Sequence, residues 1–254
     1  MSGPSDSDLY LAGVQTLLAS WEVYARGSPG ATVVRAPGVV AAVFPTEPER
    51  GFLNNALLER DPRPRRRAGA IAAMERAYAS AGVTRFAAWV HEIDRGTRDE
   101  LEARGYRIDT STRAMGMTLG EVRLPPPEID LAPAEWSAYV RFLERAGAPA
   151  GLLGGVDPTA FHLRIACCRG DDVATALSLD RHGDTGIYNV ATLEPARRRG
   201  LGTALTALLV HDAAARGCRT ASLQSTRMGE HIYAAVGFRD LGRILEYAPA
   251  AEPP

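Results

Sequence analysis

The sequence predicts an α/β (α+β) fold built from two similar domains, each with a mixed central β-sheet flanked by helices. Three observations support this prediction. The chain has 254 residues, of which 46% are hydrophobic, so it can bury more than one core. Apolar stretches of strand length alternate with stretches in which apolar residues recur every three or four positions. Three consecutive prolines at 125–127 interrupt this alternation near the middle of the chain.

The proline run predicts the boundary between the two domains. A run of prolines can continue neither a helix nor a central strand, because proline lacks an N–H donor and fixes φ. We therefore expect a first domain at 1–124, a stiff linker at 125–133 and a second domain at 134–254.

The first half predicts three helices and three strand-forming stretches in an interleaved order. In chain order these are Leu9–Tyr24 (helix), Thr32–Phe44 (strand-rich), Arg66–Ser80 (helix), Arg85–Val90 (strand), Arg98–Ala103 (helix) and Met115–Leu119 (strand).

The second half predicts a similar series. Trp136, Tyr139 and Leu143 share one face of a helix over Glu135–Ala146, and a loop rich in Gly and Pro follows. Beyond the loop come strands at Leu163–Cys168, Val173–Leu179 and Ile187–Leu193, a long helix from Leu201 that stops at Gly217, a strand at Arg219–Gln224, a short helix at Gly229–Ala235 and one or two final strands at Phe238–Tyr247.

Two pairs of short segments recur at the same distance along the chain. RRRAGA (65–70) lies 132 positions before RRRGLG (197–202), and ARGYR (103–107) lies 132 positions before AVGFR (235–239). The equal offsets predict an ancient duplication. Gly82 and Gly217, which close the two long helices, are 135 apart, so we expect a shorter helix and a longer loop in the first copy.

Composition excludes several classes of function. The formal net charge is −1, which argues against a nucleic-acid-binding surface. All 29 basic residues are arginine, so a Schiff-base lysine, a pyridoxal-phosphate lysine and a Walker P-loop lysine are excluded. Three cysteines without a C-x-x-C pattern predict neither a disulfide framework nor a metal site. We expect a cytoplasmic protein, because neither a signal peptide nor a membrane-spanning run is evident.

The segment Arg197–Gly202 has the features of an anion site. A helix N-terminus exposes unpaired N–H groups and a partial positive charge, and glycines at 200 and 202 allow an anion to approach the backbone. Three arginines favour a diphosphate over a simple carboxylate. The alternative at this stage is a glycine-rich helix start with a solvated basic surface.

The residues downstream of this segment carry a family resemblance. The order is the strand YNVATL, then R-x-x-G-x-G and a helix, then the strand TASLQS and MGEHIYAAVGF. Over about 130–250 this resembles the GNAT superfamily of N-acetyltransferases. Arg197–Gly202 is similar to its diphosphate loop, and Tyr233 before Gly237-Phe238 is similar to its Tyr-x-x-x-Gly-Phe segment. One departure is that Pro195 lies later in the turn than in many members, which affects the path of 193–196.

The resemblance implies two tandem GNAT-like domains, with acetyl-CoA bound by the second. Its pantetheine would pair with backbone groups of Val190, Ala191 and Thr192. Its diphosphate would be bound by Arg197 and by the amides of Arg198, Arg199, Gly200, Leu201, Gly202 and Thr203. Tyr233 would lie near the sulfur, where a phenol can protonate the leaving thiolate.

The first copy lacks the groups that would perform this chemistry. Ala68 and Ala70 stand where Gly200 and Gly202 stand, and Leu101 stands where Tyr233 stands. Alanine adds a Cβ where a phosphate needs bare backbone, and leucine cannot donate a proton. We expect a degenerate first domain that does not bind CoA and has a structural role.

The sequence leaves the base and the acceptor open. Candidate bases are Glu194, Tyr188 and Asn189, and we take Glu194 as the second catalytic residue because it is the carboxylate beside the loop. Direct transfer to the amine of a small metabolite is the favoured reaction, with no metal. A lyase or decarboxylase acting on a CoA thioester, or a non-catalytic CoA-binding or assembly module, are the alternatives. The tandem halves predict a monomer that packs as a pseudo-dimer, or a homodimer.

Overall fold

The computed structural model describes residues 3–46, 53–61, 63–122, 124–147, 150 and 153–250. Internal contacts divide the chain into two compact units. Unit 1 contains Met1–Ser20 and Arg113–Leu241, and unit 2 contains Trp21–Thr112 and Gly242–Pro254. Unit 1, which consists mostly of the second half of the chain, therefore includes the N-terminal segment, and unit 2 includes the C-terminal segment. A single boundary along the chain does not describe this division. The division into domains at 1–124 and 134–254 stays a prediction.

Unit 2 contains a mixed sheet covered by helices. Its strands are β1 (Thr32–Ala36), β2 (Val39–Val43), β3 (Asn55–Leu58), β4 (Ala87–His91) and the later part of β11 (Arg239–Pro249), in the order β1-β2-β3-β4-β11. β3 and β4 are parallel, and the other pairs are antiparallel. Helix α2 (Pro64–Ser80) buries Ile71, Met74 and Tyr78 against the sheet, and α3 (Arg95–Ala103) follows β4.

Unit 1 contains the sheet that holds the segment with the family resemblance. Its strands are the later part of β5 (Tyr106–Thr118), β6 (Leu131–Ala132), β7 (His162–Cys168), β8 (Asp171–Arg181), β9 (Asp184–Thr192) and β10 (Thr220–Ser225), in the order β5-β10-β9-β8-β7-β6. Its helices are the first part of α1 (Asp6–Arg26), α4 (Trp136–Arg145), α5 (Leu201–Ala215) and α6 (Glu230–Val236). Helix α5 packs on β7, β8 and β9 through Leu205, Leu209 and Val210.

The same order of elements recurs in the two halves of the chain. β3-α2-β4-α3-β5 and β9-α5-β10-α6-β11 both run strand, helix, strand, helix, strand, and in both the first two strands are parallel neighbours. The expected shorter helix in the first copy is wrong. Helix α2 has 17 residues and α5 has 15, because α2 begins at Pro64, ahead of the arginines.

The parallel pair in unit 1 opens before its strands end. β9 and β10 pair only over Thr220↔Asp184, Ala221↔Thr185 and Ser222↔Gly186, although both strands continue beyond these residues. Asp184 fixes the paired end. Its carboxylate is 2% exposed and accepts hydrogen bonds of 2.7 Å from the hydroxyls of Thr16, Thr220 and Ser222. The remainder of β9 therefore pairs with β8 on one side and leaves its other edge available.

The predicted mixed α/β fold is confirmed, and most predicted elements agree with the observed ones to within a few residues. The sequence interpretation missed β3, the short β6 inside the proline linker, and the full length of β5. β6 pairs with β7 through Leu131↔Ala166. None of the helices in the described part of the chain has both the length and the apolar character needed to cross a bilayer.

Candidate functional site

The start of α5 presents a run of backbone donors. After the 3₁₀ turn Glu194–Ala196, the chain passes through Arg198 and Gly200 with positive φ values of 60° and 76°, and α5 begins at Leu201. The first amide with a helical acceptor is that of Ala204, which donates to the carbonyl of Gly200 at 2.9 Å. Within the described residues, the amides of Arg198–Thr203 donate to no backbone carbonyl. Six consecutive donors at a helix N-terminus favour an anion.

The three arginines of this turn carry unneutralised charge. Arg197 donates from Nε to the carbonyl of Thr192 at 3.2 Å, and Arg199 contacts Cys168 Sγ through both terminal nitrogens at 3.5 and 3.6 Å. No described carboxylate forms an ion pair with Arg197, Arg198 or Arg199. The turn therefore has a positive potential that an external anion can neutralise.

The two glycines of the turn serve different purposes. Gly200 has a positive φ, and a Cβ at this position would have no described atom within 4 Å. Glycine is therefore favoured here by the backbone conformation and not by lack of space. Gly202 lies within α5 and has no positive φ. A Cβ at Gly202 would lie 3.7 Å from Val190 Cγ1 of β9 and 3.7 Å from Ile232 Cδ1 of α6. Gly202 thus borders the opening between β9 and α6, where a missing side chain leaves room for a ligand.

Tyr233 is held on α6 by its own sequence motif. Gly237, with φ of 126°, ends the helix, and the amide of Phe238 returns to the carbonyl of Tyr233 at 3.1 Å. The rings of Tyr233 and Phe238 pack edge to face with centroids 6.2 Å apart. The other side of the ring lies over Gly229, where a Cβ would be 2.9 Å from Tyr233 Cε2. This packing explains the spacing Gly-x-x-x-Tyr-x-x-x-Gly-Phe.

The Tyr233 hydroxyl is a proton donor at neutral pH. Burial raises the pKa of Tyr233 to about 12, and no described residue makes a hydrogen bond to its hydroxyl. The phenol is therefore protonated, and its O–H is available to a partner in the opening beside β9.

The predicted candidate bases differ in their surroundings. Glu194 is an exposed side chain in the first position of its 3₁₀ turn, and no described side chain forms a hydrogen bond or ion pair with its carboxylate. Burial raises the pKa of Tyr188, so this phenol stays protonated and cannot act as a base near neutral pH. Asn189 carries a neutral amide and donates to the Tyr139 hydroxyl at 2.8 Å. The catalytic role of Glu194 stays a prediction.

The first copy differs in the surroundings of its arginines and at the position that corresponds to Tyr233. Arg65–Ala70 lie inside α2, where the amides of Arg66 and Arg67 already donate to the carbonyl of Arg63 at 3.1 and 3.2 Å. Asp61 forms ion pairs with Arg63 at 2.6 Å and with Arg66 at 3.4 Å, and these arginines hold the pKa of Asp61 well below its usual value. Leu101 is fully buried in the core.

Some features near the site carried no signal in the sequence. A groove of about 640 Å³ lies beside the arginine turn and is lined by Glu128, Asp130, Cys167, Cys168, Arg199 and Leu201 among others. The Gly- and Pro-rich loop that follows α4 lies partly outside the described residues. At its end, Asp157 accepts the amide of Thr159 at 2.9 Å and caps the 3₁₀ turn Pro158–Ala160. No group of three or more His, Cys, Asp or Glu in the described ranges is arranged to hold a metal ion.

Comparison with protein families identifies the segment that carries this geometry. The model of the acetyltransferase (GNAT) family matches residues 120–238, which include β9, the arginine turn, α5, β10 and Tyr233. This segment belongs to the GNAT family. The chain is accordingly an acyltransferase, and enzymes of the family generally use acetyl-CoA and act on small-molecule or protein substrates. No curated protein sequence matches the chain.

Solved GNAT structures share the fold over nearly the whole chain. A GCN5-related N-acetyltransferase from Kribbella flavida is 19% identical, with 99% of this chain and 98% of that chain covered and a TM-score of 0.71. A GCN5-related N-acetyltransferase from Sphaerobacter thermophilus is 18% identical over 96% of this chain and 93% of that chain, with a TM-score of 0.56. A GNAT-family acetyltransferase from Colwellia psychrerythraea is 14% identical, covers 98% and 97%, and gives a TM-score of 0.55. At these identities the likeness concerns the fold.

Proposed function

We propose that this GNAT protein transfers an acetyl group from acetyl-CoA directly to the amine of a small metabolite. The observation that carries the proposal is the arginine turn at the start of α5. Among the described residues, six amides without backbone acceptors and three arginines without carboxylate partners adjoin the opening between β9 and α6. A diphosphate fits this donor set, because it offers several oxygens and two negative charges to one cluster.

The available edge of β9 would hold the pantetheine. Backbone groups of Val190, Ala191 and Thr192 lie beyond the last β9–β10 pair, so an extended amide chain can add to this edge like a strand. Arg197 supports the arrangement by bonding to the carbonyl of Thr192, which connects the β9 edge to the diphosphate turn. The diphosphate contacts would come from Arg197 and the amides of Arg198–Thr203.

Tyr233 would protonate the leaving thiolate. When bound, acetyl-CoA supplies an acyl group activated as a thioester. Attack of a neutral amine on the carbonyl carbon forms the C–N bond and breaks the C–S bond. The thiolate takes a proton from Tyr233, and the amine nitrogen loses one to a base. Glu194 is the candidate for that base, directly or through water.

A small amine is the favoured acceptor class. The loop that follows α4 is small and apolar in composition, and Asp157 is engaged in capping a turn. A single engaged carboxylate does not form the acidic stripe that would attract a basic protein tail. We further infer that the first half is a duplicated GNAT-like domain that no longer binds CoA, because the corresponding amides take part in the hydrogen bonds of α2 and Asp61 forms an ion pair with Arg66, the counterpart of Arg198.

Calorimetric titration of acetyl-CoA tests the cofactor assignment. The wild-type protein is expected to bind one acetyl-CoA per chain, and Gly202→Glu is expected to abolish binding because its carboxylate would enter the diphosphate turn. Gly69→Glu is the matched control. Gly69 lies in α2, and a Cβ there would have no described atom within 4 Å, so the substitution adds the same charge in the first copy without a clash.

Each other outcome of the titration has a defined meaning. Two sites in the wild type would contradict the loss of binding in the first half. Absence of binding would leave the assembly-module alternative. Where one site is found, thiol release from acetyl-CoA that depends on an added amine supports transfer. Lyase or decarboxylase chemistry would instead cleave the acyl group of a carboxyacyl-CoA, such as malonyl-CoA, with release of CO₂ and with the thioester bond intact.

A further inference from the structure

An unusual residue conformation interrupts β9 beside the proposed pantetheine edge. Asn189 has a φ of 51°, which L-residues other than glycine rarely adopt in a strand. The register between β8 and β9 shifts at this point. Leu177 faces Tyr188 and Thr175 faces Ala191, so Asn189 and Val190 together face Ala176. Two residues against one is a β-bulge, which redirects backbone groups that a regular ladder would use.

A partly buried hydrogen bond anchors this bulge to α4. The side-chain amide of Asn189 donates to the Tyr139 hydroxyl at 2.8 Å, and Tyr139 is 0% exposed. Trp136 packs against Tyr139 with ring centroids 5.0 Å apart and stacks on Phe161 at 5.9 Å. A hydrogen bond among aromatic rings is shielded from water, so it fixes its partners more firmly than an exposed one.

The bulge lies where the proposed function brings the acyl group. If the diphosphate is bound at Arg198–Thr203 and the pantetheine runs along Thr192, Ala191 and Val190, the next residue along β9 is Asn189. The thioester therefore reaches the bulge. Asn189 cannot be the base for the amine, because a carboxamide does not take up a proton near neutral pH.

We propose that Asn189 and Tyr139 are positioning residues, whose hydrogen bond holds the bulge of β9 so that its backbone groups orient the acyl thioester. This inference rests on the proposed function for the location of the thioester. Without the hydrogen bond the left-handed conformation at residue 189 loses its support, and the bulge can relax toward a regular strand.

The test combines kinetics with the vibrational spectrum of the bound thioester. Tyr139→Phe removes only the hydroxyl, and Asn189→Ala removes the side-chain amide and leaves a residue that does not itself favour positive φ. Each variant is expected to lower kcat about tenfold, near the upper end of what one hydrogen bond contributes, with the Kd for CoA unchanged within about twofold. The double variant is expected to be no worse than either single variant, because both remove the same bond.

The infrared carbonyl band of acetyl-CoA labelled with ¹³C at the carbonyl gives a readout that needs no acceptor. Binding to the wild type is expected to shift this band, and both single variants are expected to lose most of the shift. Tyr78→Phe is the control. Tyr78 is equally buried, and its hydroxyl donates one hydrogen bond of 3.0 Å to the carbonyl of Ala42 in unit 2. It should leave both the band and kcat unchanged.

The outcomes separate this inference from the proposed function. If both single variants keep the wild-type kcat and the wild-type carbonyl band position, the positioning role is overturned and the proposed acetyl transfer is unaffected. A hundredfold loss in the double variant would indicate two independent roles and would also overturn it. A band shift that the variants lose, in a protein that acetylates no amine, would support the positioning role and contradict the proposed transfer. A wild type that does not bind acetyl-CoA would overturn both.

Discussion

Gly200→Ala should destabilise the protein, whereas Gly202→Ala should stabilise the fold but weaken the binding of acetyl-CoA. Gly200 has a φ of 76°, and the left-handed conformation costs an L-residue about 1–2 kcal/mol. Gly200→Ala should therefore destabilise the protein by about 1–2 kcal/mol, which corresponds to about 2–8 °C in Tm for units of this size. Gly202 is the second residue of α5, so Gly202→Ala should be stabilising by up to about 1 kcal/mol through helix propensity.

Gly202→Ala should weaken ligand binding even though it stabilises the fold. The new Cβ would make ordinary contacts of 3.7 Å with Val190 and Ile232, so the fold accommodates it. The same methyl group occupies the opening that the proposed diphosphate and pantetheine use. We expect acetyl-CoA to bind at least tenfold more weakly to Gly202→Ala, a loss of about 1.4 kcal/mol.

Urea denaturation monitored by circular dichroism and calorimetric titration with acetyl-CoA measure the two effects on the same samples. Gly69→Ala, at an exposed position inside α2, controls for helix propensity alone. A Gly202→Ala protein that is more stable and binds acetyl-CoA with wild-type affinity would refute the argument that the missing side chain serves the ligand. A Gly200→Ala protein with unchanged stability would refute the conformational argument.

Three further predictions follow from buried polar groups. Tyr233→Phe should lower kcat about 10²-fold without changing the Kd of acetyl-CoA, and since the pKa of Tyr233 is raised to about 12, its deprotonation should not reduce the wild-type rate between pH 7 and 10. Steady-state kinetics over that range check both statements. Asp184→Asn should cost about 1–3 kcal/mol in urea denaturation, because three hydroxyl donors lose a charged acceptor in a buried site. Burial and the nearby Asp180 raise the pKa of Cys218 to about 11, so its thiolate fraction at pH 8 should be about 10²-fold below that of an ordinary thiol; slow labelling by a disulfide reagent, lost in Cys218→Ser, measures this.

Local sequence patterns predicted the elements that have a strong period or a clear terminator. α5 has apolar residues at spacings of three and four and ends before Gly217, and α6 ends at Gly237, so both were located within about one residue. β3 was missed because its four residues, NALL, are fully buried and show no alternation. β6 was missed because two residues inside a proline-rich segment become a strand only when β7 offers them hydrogen bonds.

The candidate site was predictable where its chemistry is carried by the chain itself. The arginines and glycines of 197–202 and the spacing of Tyr233 from Gly237 are local patterns, and α5 and α6 place them as expected. Asn189 was named in the sequence analysis as a candidate base, but its hydrogen-bond partner could not be predicted. Tyr139 lies 50 residues away, and only the packing of α4 on the sheet brings its hydroxyl within 2.8 Å.

The sequence by itself determined the helices and strands that have a strong period or a clear terminator, the turn rich in arginine and glycine, and the tyrosine four residues before Gly237. These properties depend on backbone propensity, glycine placement and side-chain chemistry within a few residues. Tertiary structure alone decided that β9 and β10 separate after Gly186, that the Tyr139 hydroxyl meets Asn189, and that the termini exchange between units. The reason is physical: strand pairing, side-chain hydrogen bonding and burial are set by groups distant in sequence, whose meeting depends on the packing of the whole unit.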